Sequence, residues 1–162
     1  MLTTGGFTSS QLLFEEQRLR ILRLEVVDAL EIGDIATSLG VARDLPIAVE
    51  VRIGDWIIYH ASLPGSTCEN QRWIDRKARV VLLKHHATIY ERVSAEERGV
   101  DWHIENNLLE DTHAIHGGGL PLITMDKGFV GALLISGLPQ VQDHLLGVEV
   151  LTEYLDHKGE LL

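Results

Sequence analysis

The clearest pattern of apolar and polar positions along the chain is a pair of alternating stretches joined by a tight turn. Pro46–Ile53 alternates between apolar and polar residues, and Trp56–Ala61 follows after only two residues, Gly54 and Asp55. A two-residue connection that begins with glycine is typical of a β-hairpin. The pattern therefore predicts two antiparallel strands here.

A second hairpin is predicted in the C-terminal half, between Leu120–Met125 and Phe129–Ile135. The turn sequence Asp126-Lys127-Gly128 joins the two stretches. Phe129–Ile135 is apolar throughout, which indicates a strand buried on both faces. Alternation within it assigns Val130, Ala132 and Leu134 to one face, and Phe129, Gly131, Leu133 and Ile135 to the other. A fifth strand is predicted over Ile21–Val27, where apolar and polar residues also alternate.

Three helices follow from capping residues and from apolar residues at helical spacing. Asp28 and Glu31 form a capping-box pattern that predicts a helix from about Ala29 to Arg43. Asn70 is predicted to cap a second helix with a core-facing stripe. A last helix follows Pro139, a residue that the first helical turn tolerates. The stripes of the second and last helices are Trp73, Ile74, Ala78, Val81 and Leu82, and Val141, Leu145, Val148, Leu151 and Leu155.

Other segments give weaker patterns. Ser10 is a candidate cap for a short helix over Gln11–Arg20, although an ordinary loose terminus is the simpler interpretation. Ser94-Ala-Glu-Glu97 resembles another capping box, and the polar stretch Asp101–Asp111 predicts no defined element. Five strands in two hairpins, with helices for both faces, predict an α+β fold with a mainly antiparallel sheet. We expect residues 1–20 to be an N-terminal extension and residues 21–162 to be a single domain.

Composition and charge narrow the functional classes. A chain of 162 residues, 45% of them hydrophobic, is long enough for one domain with its own core. The formal net charge of −10 disfavours binding to nucleic acid or to an anionic membrane surface. The single Cys68 excludes an internal disulfide, and the N-terminus lacks the pattern of a secretory signal. We therefore expect a cytoplasmic protein.

The stretch around Gly117, Gly118 and Gly119 is where the end of a central strand and the start of a helix are predicted to meet. Three glycines permit a sharp turn or a close approach to another surface, and Ser136-Gly137 closes the following hairpin. Backbone amides at such a turn can bind a carboxylate or a phosphate. The stretch lacks the Lys-Ser/Thr of a P-loop and the spacing of a dinucleotide-binding fingerprint. Gly117–Gly119, Ser136 and Gly137 are therefore candidate ligand-binding residues.

Four ionisable residues near this stretch carry the candidate chemistry. Asp143 and His144 lie in the first turns of the last helix. Asp143 either stabilises the helix through its favourable interaction with the helix dipole or forms an acid/base pair with His144. Lys77 lies on an apolar stripe, where it either extends its methylenes along the core or points, with Arg76, at an anionic ligand.

Eight histidines raise the question of a metal or haem site. Their spacing lacks a zinc signature, so no metal site is predicted. Haem needs only one axial imidazole, and His60, His113, His116 and His144 are the candidates.

Several motifs, in order along the chain, resemble those of the haem-degrading-domain family, which includes the GlcG and HbpS proteins, and in particular its uncharacterised UPF branch. The motifs are Leu63-Pro64-Gly65-Ser66-Thr67, Trp73-Ile74-x-Arg76-Lys77, His116-Gly117-Gly118-Gly119-x-Pro121, Val130-Gly131-Ala132, Ser136-Gly137-Leu138-Pro139 and Asp143-His144. The resemblance covers roughly residues 28–154. It implies a profilin-like α/β/α sandwich, homo-oligomers, and haem binding or breakdown in some members. His113 stands where the UPF branch is expected to carry Tyr.

Two classes of function remain open. The first is a homo-oligomeric binding or scaffold protein in which the triglycine region lies at a subunit contact or a shallow pocket. The second is a small-molecule or haem-directed enzyme with His116, Asp143 and His144 as catalytic candidates and Lys77 or Arg76 as an anion anchor. The first is favoured, because no nucleophile, base and orienting group can be assembled from the spacing. Haem and a small anion are the candidate ligands.

Overall fold

The computed structural model describes residues 4–159, and within them six helices surround a four-stranded sheet. In chain order the elements are α1 (Ser9–Arg18), α2 (Val26–Ala42), β1 (Ala48–Ile53), β2 (Trp56–Ser62), α3 (Cys68–Lys84), α4 (Thr88–Glu97), α5 (Trp102–Asn106), β3 (Gly119–Thr124), β4 (Gly128–Ser136) and α6 (Gln140–Lys158). The strands lie in the order β2-β1-β4-β3, and each neighbouring pair is antiparallel. The predicted mixture of helices with an antiparallel sheet is confirmed.

Both predicted hairpins form. Ile53 pairs with Trp56 across the turn at Gly54, whose φ of +59° suits glycine. Thr124 pairs with Gly128 across the second turn. Pairing of Ala48 with Ser136 joins the hairpins through β1 and β4, so these two strands occupy the centre of the sheet.

The predicted strand Ile21–Val27 is wrong, and the described residues contain four strands rather than five. Ile21 forms only an isolated parallel bridge with Thr124. The chain then turns into α2, which begins at Val26 because the Asp28 carboxylate accepts the Glu25 amide proton. Asp28 thus caps the first turn from a position within the helix. Val26 and Val27, the last two residues of the predicted strand, are therefore helical.

Helices cover both faces of the sheet. On one face, α2 and α6 pack against Leu133 and Ile135 of β4. On the other face, α3 packs against Ala132 and Leu134. The predicted alternation holds for these four residues but not for Phe129, which packs on the α3 side and stacks on His85 with ring centroids 4.0 Å apart. The register between β3 and β4 shifts at Leu122/Ile123, next to the turn, and this irregularity changes the side to which Phe129 points.

The caps of the outer helices differ from those predicted. The short N-terminal helix forms, but Thr8 caps it rather than Ser10. Thr67 caps α3, while Asn70 lies three residues inside and accepts the Thr67 amide proton. Ser94 is an interior residue of α4, a helix that was not predicted from the sequence.

Helix α1 packs on the body of the protein rather than forming a loose terminus. Leu12 is only 1% exposed and lies among Ala87, Ile89 and Val93 at the α4 end of the core. Along the described part of the chain, no helix is both long and apolar enough to cross a membrane.

Candidate functional site

A cleft of about 270 Å³ lies at the end of the sheet where β4 leads into α6. One wall comes from the first half of α3, and another comes from the segment that precedes β3. The start of α6 closes the cleft. The lining residues are Asn70, Trp73, Lys77, His116, Ser136, Gly137, Leu138, Gln140 and Asp143. We call this the α3–α6 cleft.

A buried ion pair borders the cleft. The Lys77 ammonium donates to the Ile135 carbonyl at 2.9 Å and to Asp143 Oδ2 at 3.3 Å, and both charged side chains are only about 3% exposed. The other Asp143 oxygen, Oδ1, accepts the Leu138 amide proton at 3.0 Å. The pair therefore fixes the turn between β4 and α6 as well as bordering the cleft.

Burial shifts both members of the pair towards their neutral forms. It lowers the pKa of Lys77, although the negative charge of Asp143 opposes this shift. It raises the pKa of Asp143 to about 6, against the opposing effect of the Lys77 charge and of the backbone amides of Leu138 and Gly137. Removing a carboxylate from water disfavours its charged form, and the neighbouring ammonium offsets only part of this. Asp143 consequently titrates close to neutral pH.

His116 lines the same cleft as a neutral imidazole. Its ring stands edge-on to Trp73, with centroids 4.6 Å apart. Burial, together with the positive charges of Arg92 and Lys77, lowers the pKa of His116 to about 4. Its Nδ1 is buried and has no hydrogen-bond partner among the described residues. The imidazole is therefore uncharged at neutral pH and keeps one polar atom unsatisfied.

The triglycine segment lets the chain pack closely behind this ion pair. Gly118 has a φ of +122°, and a Cβ added there would lie 2.3 Å from the Ile135 carbonyl oxygen and 2.7 Å from Lys77 Nζ. A Cβ on Gly117 would lie 2.3 Å from the Gln140 carbonyl oxygen. Side chains at these positions would push α6 and Lys77 away from the end of the sheet.

These contacts bear on two expectations for the triglycine segment. Gly117–Gly119 are buried within their own chain, so they do not present an open surface to a second subunit. The Gly117 amide donates to Gln140 Oε1 and the Gly119 amide donates to Thr88 Oγ1. Two of the three amides therefore already have partners and are not available to an anion.

The acid/base pair of Asp143 and His144, one of the two alternatives for Asp143, does not form. Asp143 faces Lys77 and the cleft, whereas His144 Nε2 lies 2.7 Å from Glu15 Oε1 of α1. His144 is 1% exposed, and its ring contacts Phe7. Consecutive helical residues point about 100° apart, which separates these two side chains.

Arg76 and Lys77 also point to different places. The Arg76 guanidinium lies over the Trp73 ring at 4.3 Å, and its Nε donates to the Glu110 carbonyl. Arg76 therefore supports the outer side of Trp73 and does not line the cleft.

Four lining residues were not among the candidates predicted from the sequence: Asn70, Trp73, Leu138 and Gln140. Trp73 was assigned to the core, but it is half-buried and forms a cleft wall. Its position four residues before Lys77 was the available signal, because residues four apart share one face of a helix. Asn70 and Gln140 carried no comparable signal.

Among the four histidines considered for haem, His116 alone lines the α3–α6 cleft. His60 contacts Glu50 and Ser62 through its two ring nitrogens, and His113 Nδ1 contacts Thr112. A neutral imidazole suits iron, but about 270 Å³ lies below the roughly 300–1,000 Å³ typical of pockets for drug-sized ligands. The cleft of one chain is therefore smaller than the pockets that enclose ligands of this size. The described residues also contain no group of three or more His, Cys, Asp or Glu that could hold a metal ion.

Comparisons with known proteins agree on family and fold. A family model described as haem degrading protein HbpS-like matches residues 24–152. A UPF0303 protein of Streptomyces avermitilis is 36% identical over 148 residues, covering 91% of each chain. The crystal structure of Ybr137w protein matches with a TM-score of 0.84 at 22% identity, covering 91% of this chain and 88% of that one. A PduOC:heme complex matches with a TM-score of 0.68 at 18% identity, covering 81% and 94%. At these identities the two crystal structures establish similarity of fold alone.

Proposed function

Because the chain belongs to the HbpS-like haem-degrading protein family, we propose that it is a homo-oligomeric binding protein that holds a small anionic molecule in the α3–α6 cleft. The observation that carries this proposal is the buried Lys77–Asp143 pair at the cleft wall. An ammonium has three N–H donors, and Lys77 uses two of them on Ile135 and Asp143. The third is available to an acceptor in the cleft.

The other cleft residues suit recognition of a small organic molecule. Trp73 and Leu138 supply apolar wall, and the Asn70 amide, held by Thr67 and Ser136, places a polar group at the cleft. Apolar wall combined with polar groups at fixed positions is a common feature of small-molecule sites.

The arrangement favours binding over catalysis. A general base works best with a pKa near the operating pH, but His116 has a pKa of about 4. Asp143 has a pKa closer to neutral, about 6, but its two oxygens bond Lys77 and the Leu138 amide, and His144 faces α1. No nucleophile with an adjacent base and an orienting group is therefore assembled among the described cleft residues.

The test is to identify molecules that co-purify with the protein by native mass spectrometry and to repeat this with Lys77→Met. Lys127→Met is the matched control, because Lys127 is an exposed residue of the β3–β4 turn. We expect a bound small anion in the wild type and in Lys127→Met, and none in Lys77→Met. If no bound molecule is found, or if it is retained by Lys77→Met, the proposed function is wrong.

Haem binding is the alternative function, and the neutral His116 imidazole in the cleft is the observation that favours it. The cleft volume argues against it for a single chain. Adding haem to the purified protein and recording the visible spectrum decides the matter. A Soret shift that His116→Ala abolishes would replace the anion proposal with haem binding, and no shift would exclude this alternative.

The homo-oligomer is proposed on a different surface from the triglycine segment. The outer edge of β2 pairs with no other strand in the described part of the chain, and Trp56 and Ile57 at its start are 61% and 47% exposed. An unpaired edge with exposed apolar residues is a common contact between copies of a chain. Light scattering tests this, and a wild-type protein that runs as an 18.0 kDa monomer at micromolar concentration would refute it.

A further inference from the structure

The charges around the α3–α6 cleft define which ligand can enter. Lys77 is the one cation among the described residues that line the cleft. Arg76 is turned towards Trp73 and Glu110, and the Arg92 side chain donates to the Ile115 carbonyl outside it. One cation matches one negative charge, which favours a monocarboxylate over a phosphate dianion.

The single cation is already neutralised by Asp143. A carboxylate that approached Lys77 would place a second negative charge beside Asp143, in a region from which water is largely excluded. Two carboxylates that share one buried site cannot both stay ionised at low cost, so one of them takes up a proton.

We propose that the α3–α6 cleft binds a small organic monocarboxylate together with one proton, which is held on Asp143. This inference rests on the proposed binding function and adds the chemical class of the ligand and the dependence of its affinity on pH. In the bound state Lys77 stays positively charged and bonds the ligand carboxylate, while Asp143 is a neutral acid. The total charge in the cleft is then unchanged by binding.

Asp143 is the group in the cleft best placed to accept this proton. Burial raises the pKa of Asp143 to about 6 and lowers that of His116 to about 4, so Asp143 takes up a proton in preference to His116. The groups that face Asp143 are Lys77 from α3 and the backbone amides of Gly137 and Leu138 from the turn before α6. His144, its sequence neighbour, faces Glu15 instead.

Calorimetry with three acids and their amides tests the proposal. The probes are acetate, pyruvate and benzoate, each paired with its uncharged amide, and inorganic phosphate serves as the dianion control. Titrations at pH 7 in two buffers with different protonation enthalpies give the number of protons taken up. We expect at least one acid to bind better than its amide and than phosphate, with an uptake of about half to one proton.

The affinity of the wild type should also depend on pH. With Asp143 mostly ionised in the free protein and protonated in the complex, the Kd should rise about 25-fold between pH 6.5 and pH 8. This measurement needs no variant, so it remains decisive even if substitutions at the buried pair impair folding.

Two variants identify the group that takes up the proton. Asp143→Asn imitates the protonated acid, and we expect it to bind without proton uptake and with an affinity independent of pH. His116→Gln removes the other titratable group of the cleft, and we expect it to retain the proton uptake. Circular dichroism of both variants confirms that they are folded.

The outcomes separate this inference from the proposed function. If acids bind without proton uptake, or if the amides or phosphate bind equally well, the inference is overturned and the cleft remains a binding site. If uptake persists in Asp143→Asn, the assignment to Asp143 is overturned. If none of the acids binds, the ligand class is overturned, whereas the proposed function is judged by the molecules that co-purify with the wild type.

Discussion

Replacing Lys77 by Met should destabilise the protein strongly at alkaline pH and weakly at acid pH. Met has a similar length and fills the same space, so the change removes the charge and its hydrogen bonds with little loss of volume. Asp143 then stays buried, at about 3% exposure, without its cation. The energetic consequence depends on whether Asp143 is ionised.

The size of the loss follows from the state of this carboxylate. Breaking a buried ion pair by removing one partner costs about 3–5 kcal/mol, and we expect this loss at pH 8. Without Lys77, the pKa of Asp143 should rise further above its value of about 6 in the wild type. A raised carboxyl pKa makes the folded state bind protons more tightly than the unfolded state, so the penalty decreases as the pH falls. At pH 5, where the folded protein holds Asp143 neutral, the loss should be below about 2 kcal/mol.

Urea denaturation at pH 8 and pH 5 measures both losses. Lys127→Met, at an exposed turn, should change the free energy of unfolding by less than about 0.5 kcal/mol at either pH. Adding Asp143→Asn to Lys77→Met removes the buried charge and should recover part of the stability at pH 8. A loss below about 1 kcal/mol at pH 8, or equal losses at the two pH values, would refute this account of the pair.

Three further predictions concern packing and pH. Gly118→Ala should lower the free energy of unfolding by more than about 2 kcal/mol in chemical denaturation, because its Cβ would meet the Ile135 carbonyl. Gly128→Ala has open space around its Cβ and should lower it by about 1 kcal/mol. Equal losses would contradict the close approach at Gly118. Leu133→Ala should cost about 2–5 kcal/mol because Leu133 is fully buried, and a loss below about 1 kcal/mol would argue against a central strand. Glu16 raises the pKa of His86 by hydrogen bonding, so the pair should stabilise the protein fully below about pH 6.5 and lose this effect as the pH rises through the raised pKa. In thermal melts, Glu16→Gln should therefore lower the melting temperature more at pH 6 than at pH 9, and an equal effect at both would count against the pair.

The local sequence was sufficient to predict most of the regular elements. Alternation and a turn that begins with glycine predicted the β1–β2 hairpin, and the continuous apolar run predicted the buried strand β4. The same reasoning failed at Ile21–Val27, where an alternating pattern fits a strand but the Asp28 carboxylate starts a helix earlier. Alternation reports only that a segment has two different sides, whereas a capping contact decides where a helix begins.

The sequence identified several residues of the candidate site but not their arrangement. Lys77, His116 and Asp143 were all candidates, and all three line the α3–α6 cleft. His144 and Arg76 were also candidates, yet each lies beside a cleft residue in sequence and points elsewhere in the structure. Trp73 was assigned to the core because an aromatic residue on an apolar stripe has the same pattern whether it is fully buried or forms a cleft wall.

The amino-acid sequence by itself determined the two hairpins and the main helices. It also identified a lysine, a histidine and an aspartate as candidate functional residues. The hairpins and helices depend on neighbouring residues, because hydrogen bonds of turns, caps and helices join groups a few positions apart. Only the tertiary structure decided that Lys77 meets Asp143, 66 residues further along the chain. Their pKa shifts required that contact and the exclusion of water by the packed helices, since burial and neighbouring charge are properties of the folded chain.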